Sequence, residues 1–245
     1  DVTFSYPNGE EAVLKNIDFV CQKGQKIAVI GSTGSGKSTL VKLMNRFYDV
    51  SRGSIEINGV DIRKYNLESL RAQIGYVAQK AHMFKGSIQS NICFGKPEAS
   101  VEEMVHAATV AQASDFISTR EHGYEDEIAE DGTNISGGQK QRLSIARVIL
   151  KKPSLYIYDD SFSALDFKTD ATLRKALKPE VKNAIFFVVA QRISTIMDSD
   201  MIIVLDEGQI IGMGTHAQLL KDCSVYQEIA HSQLTQKELD DYERN

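Results

Sequence analysis

Eight consecutive residues, Gly31-Ser-Thr-Gly-Ser-Gly-Lys-Ser38, gather glycines, hydroxyls and a lysine into one short stretch. They fit the spacing G-x-x-x-x-G-K-[ST], and the apolar run Ile27–Ile30 precedes them as a strand would. A loop of this kind wraps an anion. Ser32, Thr33, Gly34, Ser35 and Gly36 turn backbone N–H groups inward, and a helix opening at Lys37 adds the positive end of its dipole. Lys37 then reaches the β- and γ-phosphates of a nucleotide, Ser38 supplies a hydroxyl to Mg²⁺, and Thr39 completes the expected nucleotide-binding set. Far downstream, Leu155-Tyr-Ile-Tyr-Asp159 reads as a buried strand ending in a carboxylate, the place where an α/β sheet presents ligands. Asp159 is expected to hold Mg²⁺ through water. A third cluster, Ile135-Ser-Gly-Gly-Gln-Lys-Gln-Arg142, precedes the helical run Leu143–Leu150. Ser136 sits where an N-cap belongs, and Gly137 and Gly138 leave bare backbone that a phosphate can approach. On these residues alone, a capping box with no ligand remains open.

The elements that must carry these residues form an α/β pattern. Apolar bursts at Ile27–Ile30, Ile74–Val77, Leu155–Tyr158, Ile185–Val189 and Met201–Leu205 are nearly continuous, as strands buried on both faces of a parallel sheet should be. Helical stretches at Lys37–Arg46 and Gly138–Leu150 lie between some of them. The N-terminal part departs from this pattern. Val2–Tyr6, Val13–Val20 and Ser54–Ile57 alternate as antiparallel strands, and Asn58-Gly59 is a hairpin signal. Val101–Ser118 is Ala-rich and periodic at helical spacing. The expected organisation is a single domain: residues 1–80 hold an antiparallel β part and the phosphate-loop core, 81–150 are mainly helical, and 151–234 complete the α/β core. The polar tail 235–245 is expected to fray or form a loose helix.

Composition narrows the function. The chain has 245 residues, 25% charged and 42% hydrophobic, with a net charge of -5. That describes an ordinary globular chain with no basic footprint for nucleic acid. The longest apolar run, Ala184 to Ala190, falls far short of the ~20 residues of a membrane helix. Asp1 opens a strand-like pattern without an initiator Met, so the chain is expected to be cut from something longer. Cys21, Cys93 and Cys223 are scattered and odd in number, and are expected to be idle thiols in a reducing compartment.

Taken in order, the phosphate loop, Ser136-Gly-Gly-Gln139 and the acidic strand end resemble the ATP-binding-cassette ATPase family. Ser163-Ala-Leu-Asp166 is similar to that family's D-loop, Gln79 to its Q-loop glutamine and Tyr6 to its adenine-stacking aromatic. The resemblance covers essentially the whole chain. It implies a P-loop NTPase (RecA-like) parallel-sheet core, an N-terminal antiparallel β subdomain and a helical subdomain carrying the signature. It also implies ATP and Mg²⁺ as ligands, the metal being held by Ser38, Gln79 and Asp159. Cassettes of this family pair head to tail, so Ser136, Gly137, Gly138 and Gln139 would complete a partner's ATP site, with Ser163 and Asp166 at the dimer contact. Gly86-Ser-Ile-Gln-Ser-Asn-Ile92 and Asp126-Glu-Ile-Ala-Glu-Asp-Gly132 resemble stretches of bacterial multidrug and lipid exporters. In those, Glu127 and Glu130 would sit near the membrane domain of the same polypeptide, at the cytoplasmic face of the membrane, while this chain alone would be soluble.

Two positions depart from the family pattern. Asp160 stands where the family has a general-base Glu, and Gln191 where it has a switch His. Asp is shorter by one methylene, about 1.5 Å of reach, and a misplacement near 1 Å can lower a rate ~10²-fold. Gln191 can hydrogen-bond a phosphate oxygen but has no titratable nitrogen. Together they imply the slow, degenerate half of a heterodimeric exporter. Substitutions engineered to trap ATP are the weaker reading, since a trap would replace Glu by Gln. A purely regulatory cassette that never hydrolyses ATP is the alternative function. A DNA-repair cassette would insert a long coiled coil between Gln79 and Ser136, and a translation-factor cassette would carry two cassettes and a basic linker.

Overall fold

The structure, a computed structural model, describes residues 1–7 and 9–234. Val2–Phe4 (β1) and Leu14–Ile17 (β2) pair antiparallel and turn Val2, Phe4, Leu14 and Ile17 inward. The second strand is shorter than the expected Val13–Val20, and within it Asn16 takes a φ of 52° where the pairing shifts register. Lys26–Ile30 (β3) buries four of its five residues, and the loop after it opens Lys37–Met44 (α1). That helix stops short of the expected Arg46, whose φ of 51° ends the α-helical path. Glu56–Ile57 (β4) and Val60–Asp61 (β5) form a hairpin on Asn58 and Gly59. Their φ of 53° and 76° make the left-handed pair that an Asn-Gly turn favours. Leu67–Ala72 (α2) follows, capped by the Asn66 side chain accepting from the Glu68 N–H.

Contacts divide the chain into two compact units, Asp1–Ile74 with the chain from Ile185, and Gly75–Ala184. Ile74–Val77 (β6) leads into the second. There Gly86–Ser87 (β7), Ile88–Ile92 (α3), Val101–Val110 (α4), Ser114–Ser118 (α5) and Glu127–Ile128 (β8) follow in turn, and β7 pairs antiparallel with β8. The helix expected over 101–118 divides because Gln112 takes a φ of 57°. Gly137–Lys151 (α6) packs against α3 and α4, burying Leu143, Ile145, Ala146 and Ile149. Leu155–Asp159 (β9) lies beside β6, and Phe167–Val181 (α7) follows.

Ile185–Val189 (β10), Ile193–Ile196 (α8), Met201–Asp206 (β11), Gln209–Gly214 (β12), His216–Asp222 (α9) and Ser224–Gln233 (α10) complete the first unit. Its strands run in the order β12-β11-β3-β10, with β3 parallel to both neighbours and β12 antiparallel to β11. Ile27–Ile30 and Ile202–Leu205 are fully buried apolar runs, as the interior of a covered parallel sheet requires. β12 had no signal in the apolar pattern. It returns on a two-residue turn, Glu207 and Gly208, with φ of 43° and 76°. The tail 235–245 lies outside the described residues. Among the described residues no helix is long and apolar enough to cross a membrane.

Candidate nucleotide-binding site

The loop between β3 and α1 is shaped by close backbone approach. A Cβ at Gly31 would stand 2.0 Å from the Leu205 carbonyl oxygen, and one at Gly36 would stand 2.6 Å from Leu14 Cδ2. Gly36 also takes a φ of 105° as the N-cap of α1, where it offers no side-chain acceptor to the first-turn N–H groups. No side chain of the cap residue competes for those donors. The β11–β12 turn braces the loop from behind: the Gly208 N–H donates to the Ser35 carbonyl at 3.2 Å, and the Lys15 N–H to the Gly208 carbonyl at 2.8 Å. Ser32, Thr33, Gly34 and Ser38 are exposed, whereas Ser35 and Thr39 are buried. Lys37 Nζ donates to the Gly31 and Ser32 carbonyls at 2.8 and 2.6 Å and to Ser35 Oγ at 3.3 Å, which holds the ammonium over the loop.

Tyr6 is tied to the same helix, its hydroxyl 3.0 Å from Thr39 Oγ1. Its ring stands edge-on to Phe4 and Tyr48, with centroids 5.0 and 5.2 Å away. In this unit Gln191 follows β10, the strand beside β3. The Gln191 carbonyl accepts from Gln233 Nε2 at 2.8 Å, and Gln233 Oε1 accepts from the Ile193 N–H at 2.8 Å, so α10 clamps the segment.

In the second unit, β9 ends in two carboxylates. Asp159 is 7% and Asp160 8% exposed, and Asp160 has a φ of 47°. Gln79 Nε2 donates to Asp160 Oδ2 at 3.1 Å, and the Tyr76 hydroxyl donates to Asp159 Oδ2 at 3.3 Å. Burial, then the Asp159 charge, push the Tyr76 hydroxyl up to about 12, so it stays a donor. Ser163 Oγ donates to the Asp160 carbonyl at 2.7 Å. Asp166 caps α7 by accepting from the Thr169 N–H and hydroxyl, and these bonds hold its carboxyl below the usual range. At the start of α6, Ser136 Oγ accepts from the Gln139 N–H while Gln139 Oε1 accepts from the Ser136 N–H. A Cβ at Gly137 would meet nothing within 4 Å, so this helix start presents open backbone. Gln79, Asp159, Asp160 and Ser163 thus share one cluster. Tyr76 was missed in the sequence, where an aromatic inside a strand looks like core.

The donors suit the implied ligands. The glycine loop is a cradle that any Cβ at 31 or 36 would fill, as phosphate binding by backbone requires. Among the described residues no cluster of three His, Cys, Asp or Glu stands ready for a metal. In the second unit, the amide oxygen of Gln79 and the carboxylate of Asp159 are nevertheless of the kind that fits Mg²⁺, which keeps waters and takes one or two carboxylates plus substrate phosphates.

A family model described as ABC transporter matches residues 14–163. The chain belongs to the ABC transporter family. An uncharacterized ABC transporter ATP-binding protein of Mycobacterium tuberculosis is 44% identical over 234 residues, covering 94% of this chain and 40% of the relative. A putative multidrug export ATP-binding/permease protein of Bacillus subtilis is 44% identical over 229 residues, with the same coverage. Among solved structures, a bacterial Atm1-family ABC exporter with ATP bound superposes with a TM-score of 0.91 at 37% identity, covering 94% of this ABC transporter chain and 41% of that one. The α/β fold expected from the sequence is therefore the one observed. The chain spans about two-fifths of the length of these relatives.

Proposed function

We propose that this chain is the ATP-binding cassette of an exporter, binding Mg-ATP at a slow site of its own and lending its signature to a partner cassette's catalytic site. The glycine cradle under Lys37 carries the reading: there is no room for a Cβ at 31 or 36, and the ammonium is held by the Gly31 and Ser32 carbonyls, over a loop whose bare backbone suits an anion. Tyr6 stacks on the adenine, the loop and Lys37 hold the phosphates, and Ser38, Gln79 and Asp159 orient Mg²⁺. Mg²⁺, when bound, neutralises charge developing on the transferred phosphoryl group.

Slow turnover follows from Asp160 and Gln191. A general base must reach the attacking water, and the Asp160 carboxylate is short by about 1.5 Å. One of its oxygens already accepts from Gln79. Gln191 orients a phosphate oxygen without sharing a proton. Ser136 through Gln139, with bare glycines at a helix N-terminus, serve a second cassette, with Ser163 and Asp166 at that contact, and the departures at Asp160 and Gln191 make that second cassette a different chain. The greater length of the relatives, one of them named as a permease, supports a transmembrane domain in the same polypeptide and a place at the cytoplasmic face of the membrane. Phe84 and Phe94, stacked at 4.3 Å and 46% and 59% exposed, give that domain an apolar face to meet, alongside the exposed Glu127 and Glu130.

The test is calorimetric. The chain is expected to bind Mg-ATP in the micromolar range, about -8 kcal/mol, and Lys37→Ala to lose most of that binding. Unchanged affinity in the variant overturns the assignment of the loop.

A further inference from the structure

We infer that Tyr76 is a positioning residue for Asp159, its hydroxyl fixing the carboxylate in the orientation that receives Mg²⁺. The inference rests on the reading of Asp159 as the residue that holds the metal. Asp159 closes β9, and Tyr76 stands on β6, the neighbouring strand. The aromatic stem has only two rotatable bonds, so the strand backbone dictates where its hydroxyl lies. That hydroxyl donates to Asp159 Oδ2 at 3.3 Å, and so sets the plane in which the other carboxylate oxygen sits. The acceptor is a carboxylate only 7% exposed, a setting in which a charge-assisted bond is stronger than in water. Three residues further on, Gln79 donates to Asp160. One strand and its continuation thereby orient both carboxylates at the end of β9. Groups that orient a metal ligand from behind commonly change metal affinity 10–100-fold when removed.

Tyr76→Phe removes the hydroxyl and leaves the ring, so it separates positioning from packing. The experiment compares the affinity of the full chain for ATP with Mg²⁺ and for ATP in a chelator, by calorimetry, alongside the thermal midpoint. Tyr76→Phe is expected to bind Mg-ATP about ten-fold more weakly, with metal-free ATP affinity and midpoint unchanged, and Asp159→Asn to show the same selective loss. A Tyr76→Phe chain that keeps its Mg²⁺ preference while Asp159→Asn loses it overturns the inference and leaves the site reading standing. An equal loss for metal-free ATP, or a lowered midpoint, makes Tyr76 a packing residue and also overturns it. If Asp159→Asn keeps the Mg²⁺ preference, the metal role of Asp159 falls, and the inference falls with it.

Discussion

At the scale of single residues, Tyr6 shows how the ring proposed to stack on adenine is held in place. Phe4 and Tyr48 stand against it edge-on, and its hydroxyl is tethered to Thr39 on the helix that opens from the phosphate loop. A ring so held loses little freedom when a base stacks on it, and base–aromatic stacking contributes ~1–3 kcal/mol elsewhere. Tyr6→Ala is expected to weaken ATP by that amount while inorganic triphosphate binds nearly as before. Tyr6→Phe should keep most of the ATP affinity, because only the tether to Thr39 goes. Calorimetry with both ligands reads the difference. Equal losses for ATP and triphosphate in Tyr6→Ala would show that the ring supports the loop instead.

At the scale of elements, α6 organises the second unit, and Arg147 is its main fastening. The guanidinium donates to the Asn91 carbonyl at 2.8 Å and to Asn91 Oδ1 at 3.1 Å, and it lies over the rings of Phe84 and Phe94. Burial draws it down to about 10, still cationic at neutral pH. Asn91 in turn holds the Phe84 N–H and carbonyl and the Ser87 carbonyl. Arg147→Met keeps the buried stem but leaves these acceptors without their charged donor, and should lower stability by ~1.5–3 kcal/mol. Chemical denaturation measures this, and an unchanged midpoint would mean the acceptors find other donors. Nothing in the spacing of the sequence announces Arg147 or Asn91. By contrast, Gly31 through Ser38 and the strand ending at Asp159 were legible, because motif, apolar run and helix start all lie within a few residues. Helix and strand bounds were less so: Arg46 and Gln112 take positive φ although neither residue type carries a turn signal, and Asn16 takes one inside a strand pattern that masks it. β12 was unreadable for a related reason. Its exposure alternates along an edge, and its Gly212 and Gly214 lie against Leu219 and Gln218 of helix α9 and Cys223 just after it.

At the scale of the whole molecule, the departures at 160 and 191 acquire meaning only in an assembly. This chain's own site is expected to turn over at least ~10²-fold more slowly than one with a full-length base. Asp160 sits at a positive φ and is engaged by Gln79, so a longer carboxylate there must reach past that amide to the water. If the residues at 160 and 191 work as one unit, as proposed, their effects should not add. Asp160→Glu with Gln191→His is therefore expected to raise ATPase turnover of the full heterodimer more than either change alone. Ser136 supplies the opposite test, since its hydroxyl caps α6 of this chain while its proposed substrate belongs to the partner. Ser136→Ala should cost the helix about 1 kcal/mol and yet depress the partner's turnover, and Ser136→Thr, which keeps the cap, should restore the helix. Steady-state ATPase rates of the assembled pair, with the partner's own base intact or removed, separate the two sites. If restoring both residues leaves turnover flat while Ser136→Ala is silent, the chain neither holds a degenerate site nor completes its partner's.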